Sequence, residues 1–240
     1  MTDLQNLLET IKEKFEVEFE PLTVDDRTLE ILAIRNMQQH LDNMLQRQAI
    51  KNPLRDLPLW AKVWPGSFVL GRLLRKYDPS GKTLLELGAG MGITSLIAAS
   101  YDFASILLTD INEDALLFAK ANVLRNQLEH LIEVRRLDVQ APTPDNASVK
   151  SFDLIVASEL LYLQELHRPI LKFLQHHLKA SGTALFLADY ARLRGQNHFP
   201  KLAARFFSCS EGHIGIKSAN EEGKEERRVF TVYVLTHKSA

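Results

Sequence analysis

Cysteine is almost missing from this sequence. Of 240 residues only Cys209 carries a thiol, so no internal disulfide framework holds the fold, and a lone thiol fits a reducing compartment. Long apolar runs are missing too: nowhere do about 18 apolar residues follow one another, which leaves no candidate for a membrane-spanning helix. Carboxylates are scattered from Met1 to Glu20, at odds with a signal peptide of ordinary type. The expected location is therefore cytoplasmic, with an organelle matrix as the other compartment that fits. An excess of charge of one sign is likewise lacking. The 29 basic and 30 acidic side chains leave a formal net charge of -1 and a pI near 6.7, so composition does not draw the chain to a phosphate backbone or point to nucleic acid. No cysteine or histidine cluster has metal-ligand spacing; His176 and His177 are neighbours on an expected helix and diverge, so no metal is implied. His198, His213 and the pair Asp189-Tyr190 fall at loop positions and are assigned no role. No exposed apolar stripe stands out beyond the N-terminal helix, so a monomer is expected.

What is present is 45% hydrophobic and 25% charged residues, enough apolar side chain for a sizeable core under a solvated surface. Thr2 to Lys14 puts Leu4, Leu7, Leu8 and Ile11 on one helical face. The opposite face is acidic, which favours packing on the main body as a flank or lid over membrane attachment. Phe15 to Phe19 alternates apolar and charged residues, and Thr28 to Ile34 is a second β-compatible run after the turn residues Asp25-Asp26, together a small hairpin. Met37 to Arg47 returns to helical spacing, and Pro53 to Pro58 interrupts it. Residues 1–58 are thus expected to form an N-terminal extension and residues 59–240 the main domain.

From Gly81 onward short apolar runs alternate with amphipathic helical stretches, the pattern of a largely parallel sheet covered on both faces. The runs are Thr83–Leu87, Ile106–Thr109, Leu131–Arg136, Phe152–Ala157, Thr183–Ala188, Arg205–Cys209 and Val229–Thr236. Helices are expected over Ile93–Ser100, Glu113–Asn126, Leu166–Leu178 and Phe199–Phe206. Only the polar stretch Lys217–Glu226 separates the last two runs, so these should pair antiparallel as a hairpin with a solvated tip. The fold class is α/β: a doubly wound, mostly parallel seven-stranded sheet.

Between the first run and the first helix stand Gly88, Gly90 and Gly92. Glycines there let the backbone turn tightly and let a ligand approach the helix N-terminus. A nicotinamide-dinucleotide loop of the form Gly-x-Gly-x-x-Gly would need a glycine at position 93, where Ile93 stands, so a pyrophosphate is not the expected ligand. Glu86 instead offers a carboxylate at the strand end, which repels an anion and favours an ammonium or sulfonium. Asp110 ends the next run, where a doubly wound fold presents an acid to ribose hydroxyls. Asp138, followed by Val139, can offer a carboxylate to an amino group and an apolar contact to a base; its other reading is a helix N-cap or a solvated strand end.

Glu86 to Gly92 reproduces Glu/Asp-x-Gly-x-Gly-x-Gly, and from Trp60 to the C-terminus the chain resembles the class I, seven-stranded S-adenosylmethionine-dependent methyltransferases. That resemblance implies S-adenosylmethionine as cofactor, with Gly88 and Gly90 near its methionine moiety, Asp110 near the ribose and Asp138 near the adenine. It also implies the sheet order 3-2-1-4-5-7-6 with strand 7 antiparallel. The fourth run delivers Ser158-Glu159-Leu160-Leu161-Tyr162 to the carboxyl edge, where open α/β sheets bind ligands. No Asn-Pro-Pro-Tyr-type segment is found there, which argues against amide or exocyclic amino acceptors. Glu159 to Tyr162 resembles the Asp/Glu-x-x-Tyr segment of the protein-lysine-methylating branch, and Trp64-Pro65 resembles that branch's entry to the helix before the glycine loop.

By that resemblance Glu159 and Tyr162 are the candidate catalytic residues. Trp64, Glu86, Gly88, Gly90, Gly92, Asp110, Asp138 and Ser158 are the candidate cofactor-binding residues. Glu159 could orient an amine, and Tyr162 could hold a cation on its ring. Alternatively Glu159 caps the helix near Leu166 or bonds loop amides, and Tyr162 packs over the sheet edge. Trp60 and Trp64, four apart, could stack on one helical face and serve as core as readily as pocket wall. The expected activity is methylation of a protein lysine; a small-molecule N- or O-methyltransferase and a silent cofactor-binding module are the alternatives.

Overall fold

In a computed structural model the protein is described over residues 3–46, 57–141, 150–193, 198–219 and 225–238. The expected junction at Pro53–Pro58 lies mostly outside these residues, as does the tip of the last hairpin.

Seven strands form the central sheet: β3 (Thr83–Leu87), β4 (Ser105–Asp110), β5 (Ile132–Arg136), β6 (Phe152–Ser158), β7 (Leu178–Asp189), β8 (Phe207–Ala219) and β9 (Glu225–His237). Their order is β5-β4-β3-β6-β7-β9-β8. The first five are parallel, and β9 runs antiparallel to both β7 and β8. This is the 3-2-1-4-5-7-6 arrangement. The central strands read as unbroken apolar runs because both faces are covered. Leu84, Leu108, Val156 and Leu187 face one core, while Leu85, Leu107, Ile155 and Phe186 face the other.

The first core is roofed by α3 (Pro65–Leu74), α4 (Ile93–Ala98) and α5 (Glu113–Arg125); the second by α6 (His167–His177) and α8 (Phe199–Ala203), with α7 (Tyr190–Leu193) after β7. Pro65 starts α3, where its missing N–H costs nothing and its fixed φ suits a first helical turn. Residues 59–61 before it make only a 3₁₀ turn. Trp60 and Trp64 therefore do not share a helical face. Trp60 packs edge-on against Phe15 and Phe118, whereas Trp64 caps the start of α3.

The N-terminal segment comprises α1 (Asp3–Lys12), a hairpin of β1 (Val17–Val24) and β2 (Arg27–Ile34), and α2 (Met37–Gln46). Ile11, Phe15, Ile31 and Leu32 belong to the same buried cluster as Leu70, Leu84 and Phe118. Asn122 on α5 and Asn126, the residue that caps its C-terminus, bond the β2 backbone: Leu32 N donates to Asn122 Oδ1 at 2.7 Å and Glu30 N to Asn126 Oδ1 at 3.0 Å. Asn122 Nδ2 also donates to the Met91 carbonyl at 2.9 Å, so one buried amide links the hairpin to the glycine loop.

The second half of the sheet departs from the expected boundaries. The expected loop over residues 217–226 is strand up to Ala219 and again from Glu225, and the expected helix reaching Phe206 stops at Ala203. Residues 211–217 alternate exposed and half-buried, a ladder whose polar face is solvated, as edge strands commonly are. Beyond Phe230, the partner of Asp189 at the end of β7, β9 pairs only with β8 and carries Arg228 past the carboxyl edge.

Candidate active site

The carboxyl ends of β3, β4 and β5 gather the first group of residues. Gly88, Gly90 and Gly92 have φ of 63°, 55° and 87°. At Gly90 the left-handed backbone coincides with a close approach: a Cβ there would lie 2.9 Å from the Trp60 carbonyl oxygen. Gly88 is closed over by Leu160, which brings the loop after β6 against the glycine loop. Asp110, 8% exposed, accepts from Gly90 N at 2.8 Å and from Asn112 N at 2.9 Å, and so holds the loop in shape. Asn112, not Asp110, caps α5, accepting from Ala115 N at 3.0 Å.

Glu86 is 2% exposed, and its carboxylate turns into the first turn of α4, where Ser95 donates from both its amide, at 3.0 Å, and its hydroxyl. Burial pushes its pKa up to about 7 against the pull of those donors. Burial likewise raises Asp110. Asp138 is half-buried and accepts from Gln140 N at 2.8 Å, an Asx turn. No helix follows it among the described residues, so the N-cap alternative is not realised there. Ile111, which sequence reasoning passed over, is 51% exposed beside Asp110; a lone exposed isoleucine has no sequence signature.

The end of β6 gathers the second group. Ser158 Oγ is buried with no hydrogen-bond partner among the described residues, and a Cβ on Gly66 would meet it at 2.6 Å. Glu159 has φ of 56°, a left-handed conformation that a non-glycine residue rarely takes and that clusters at functional sites. Glu159 N donates to Leu187 O at 2.8 Å, and its Oε1 accepts from Asp189 N at 2.9 Å. Its Oε2 lies 3.5 Å from Arg192 Nη1. Burial raises the Glu159 pKa to about 7, opposed by Arg192 and Arg228. The loop-amide role foreseen as an alternative for Glu159 is thus present, while the N-cap of α6 is Leu166.

Trp64 Nε1 donates to Leu59 O at 2.8 Å, which fixes the indole, and its ring lies under the Arg192 guanidinium at 4.5 Å and the Lys62 ammonium at 5.2 Å. Tyr162 is half-buried; burial raises its hydroxyl pKa, with Arg192 lowering it and Glu159 and Asp110 raising it. Leu160, two residues before Tyr162, covers Gly88, so the two groups of residues adjoin. Arg192 was not legible beforehand, because it meets Trp64 only through the chain reversal after β7. Of the unassigned residues, Asp189 contributes its amide to Glu159, and His213 pairs with Glu211 and Thr231 on the outer ribbon. No cluster of metal-binding side chains is found among the described residues.

Solved structures share this architecture. The TehB-like SAM-dependent methyltransferase of Corynebacterium glutamicum superposes with a TM-score of 0.55 at 21% identity, over 84% of this chain and 100% of that one. The ribosomal protein L11 methylase of Lactobacillus delbrueckii superposes at 0.54 and 21% identity, over 73% of this chain and 81% of that one. The fold is therefore that of the Rossmann-like methyltransferases. More narrowly, residues 46–206 match the family described as lysine methyltransferase, and the chain belongs to that family as a methyltransferase enzyme. Protein N-lysine methyltransferase METTL21A of Danio rerio is 32% identical over 64% of this chain and 71% of its own length. The mouse METTL21A is 30% identical over 68% and 76%. The mouse electron transfer flavoprotein beta subunit lysine methyltransferase is 30% identical over 59% of this chain and 54% of its own length. No helix among the described residues is long and apolar enough to cross a membrane.

Proposed function

We propose that this chain methylates a lysine side chain of a folded protein partner, with S-adenosylmethionine as methyl donor. The observation that carries the acceptor is the cation slot at the end of β6: an aromatic ring and a largely buried carboxylate that both contact one guanidinium. Such a site suits an ammonium better than a neutral hydroxyl.

The residues fit the cofactor. A glycine loop with left-handed backbone, acids at consecutive strand ends and a buried unpartnered serine hydroxyl suit a ligand with a charged amino acid end, a diol and a base. Gly88, Gly90 and Gly92 would admit the amino acid end, Asp110 would accept from the ribose, and Asp138 with Ile111 and Val139 would border the adenine. Ser158 and Trp64 would close the side toward the acceptor. Glu86 would act through the loop it braces. When bound, S-adenosylmethionine supplies an electrophilic methyl on a sulfonium, and the electrons of the broken S–C bond stay with sulfur.

The chain's own groups prepare the acceptor. Glu159 holds the incoming amine while Trp64 and Tyr162 strip its water, which lowers the lysine pKa and frees the lone pair that forms the new N–C bond. The ammonium gives up one proton to the Glu159 carboxylate, which passes it to solvent water, before that bond forms. Orientation, not covalent chemistry by the protein, supplies most of the rate. In this reading residues 59–240 are the catalytic domain and residues 1–58 an N-terminal extension whose described part, residues 3–46, flanks the α5 side, and the setting is cytoplasmic.

Incubation with methyl-tritiated S-adenosylmethionine and a heat-treated cell extract, separated into protein and small-molecule fractions, tests the reading. Label on a protein, lost when one lysine is replaced, is the expected result. Label confined to the small-molecule fraction would overturn the lysine assignment.

A further inference from the structure

Arg192 stands where a substrate cation should stand. Its guanidinium carbon is 4.5 Å from the centroid of the Trp64 ring, and its Nη1 is 3.5 Å from Glu159 Oε2. A fixed carboxylate beside an aromatic face is the standard recognition pair for an alkylammonium. Both walls are held independently of the arginine. The indole is pinned by its bond to Leu59 O, and Glu159 by its bond from Asp189 N and by its left-handed backbone. The arginine is held loosely. Its contact to Glu159 is at the outer limit of a hydrogen bond, its side chain is 40% exposed, and it rides on the four-residue α7. Built walls and a loosely held occupant describe a site whose occupant is exchangeable.

We propose that Arg192 is a specificity-determining occupant of the acceptor site: its guanidinium fills the slot between Trp64 and Glu159, and the acceptor lysine enters by displacing it. This rests on the lysine reading above and names the device within that site. The exchange is cation for cation, so the buried Glu159 carboxylate keeps a partner throughout. Neutral side chains gain no such partner and leave the arginine in place, which makes the slot select for an alkylammonium. The other charged groups facing Glu159 are Asp189 and Arg228, beside the neutral Tyr162 hydroxyl; over the indole ring itself Lys62 is a second cation, at 5.2 Å against 4.5 Å for Arg192.

The test uses the full chain saturated with S-adenosylhomocysteine and titrated with n-butyltrimethylammonium, a permanent cation of lysine length. The chain has two tryptophans, so two indole N–H signals appear in a nitrogen–proton correlation spectrum, and W64F assigns the one that matters. Arg192→Ala and the closer-sized Arg192→Gln are expected to bind the probe about tenfold more tightly than the parent, since the nearer of the two cations on the indole, and the one that contacts Glu159, is gone. Arg192→Lys is expected to bind like the parent. Unchanged or weaker binding in both neutral variants would overturn the proposal and make Arg192 a strut of the site. Failure of the lysine reading shows separately, as absence of protein label from tritiated S-adenosylmethionine in the parent. In that label assay Arg192→Gln should lower KM for the labelled protein; a fall in kcat with KM unchanged would also count against displacement.

Discussion

At the scale of single residues, two buried glutamates at neighbouring strand ends have different work. Glu159 has its pKa raised to about 7 and must be ionised to hold an ammonium. Acceptor binding should therefore weaken as pH falls through about 7, visible as a drop in kcat/KM between pH 8 and pH 6. Glu159→Gln should lower kcat/KM on the order of 10²-fold and flatten that drop, because a neutral amide neither titrates nor pairs a cation. Glu86 has no path to the acceptor. Its carboxyl titrates near 4.5 when exposed in the unfolded chain but near 7 when folded. Between those values the folded protein holds a proton that the unfolded chain has released, so stability falls as pH rises from 4.5 to 7 and levels off above. Glu86→Gln should make that decline shallower in urea titrations across the same range while keeping an acceptor for Ser95. A slope identical to the parent's would show that Glu86 is not buried as an acid.

At the scale of elements, the glycine loop is shaped from three sides. Asp110 grips Gly90 from β4, Leu160 covers Gly88 from the loop after β6, and Asn122 on α5 ties Met91 to Leu32 of the hairpin. Asn122 is fully buried. Asn122→Ala would strand one backbone N–H and one backbone C=O away from water, at a cost of about 2–4 kcal/mol. Chemical denaturation should show that loss, and calorimetry should show weaker S-adenosylmethionine binding because Met91 lies inside the loop. A stability loss with unchanged cofactor affinity would mean that hairpin and loop are not coupled. The β8–β9 pair is the other element with a reach beyond the core. Its projection past Asp189 carries Arg228, whose charge acts to lower the Glu159 pKa.

At the scale of the whole molecule, the N-terminal segment is part of the main core. Phe15 meets Trp60 at 5.8 Å and Phe118 at 5.5 Å, and the backbone of Trp60 lies against Gly90. Phe15→Ala should cost about 3 kcal/mol as a buried aromatic truncation. It should also reduce cofactor affinity, since the ring supports the segment that closes over the loop. A thermal melt with and without S-adenosylmethionine separates the two effects: a lower melting point with an undiminished ligand-induced rise would confine Phe15 to stability.

Periodicity and motif spacing determined much of this protein. The strand runs, the antiparallel last pair and the acids at successive strand ends follow from local pattern, because a parallel sheet buried on both faces writes unbroken apolar runs and puts its loops at one edge, whereas the strand order followed only from the resemblance carried by Glu86 to Gly92. Local pattern also misled where charge masked a ladder. Lys217–Glu226 reads as a solvated tip, yet every one of its described residues is strand, since pairing with a neighbour strand is a long-range event. Only the tertiary structure decided that Trp60 and Trp64 part company at Pro65, that Glu86 faces Ser95, that Glu159 adopts a left-handed backbone, and that Arg192 rests on Trp64 beside it. Each of these joins residues brought together by the closing of the sheet and its helices, and side-chain direction at such meetings is set by the packing that surrounds it.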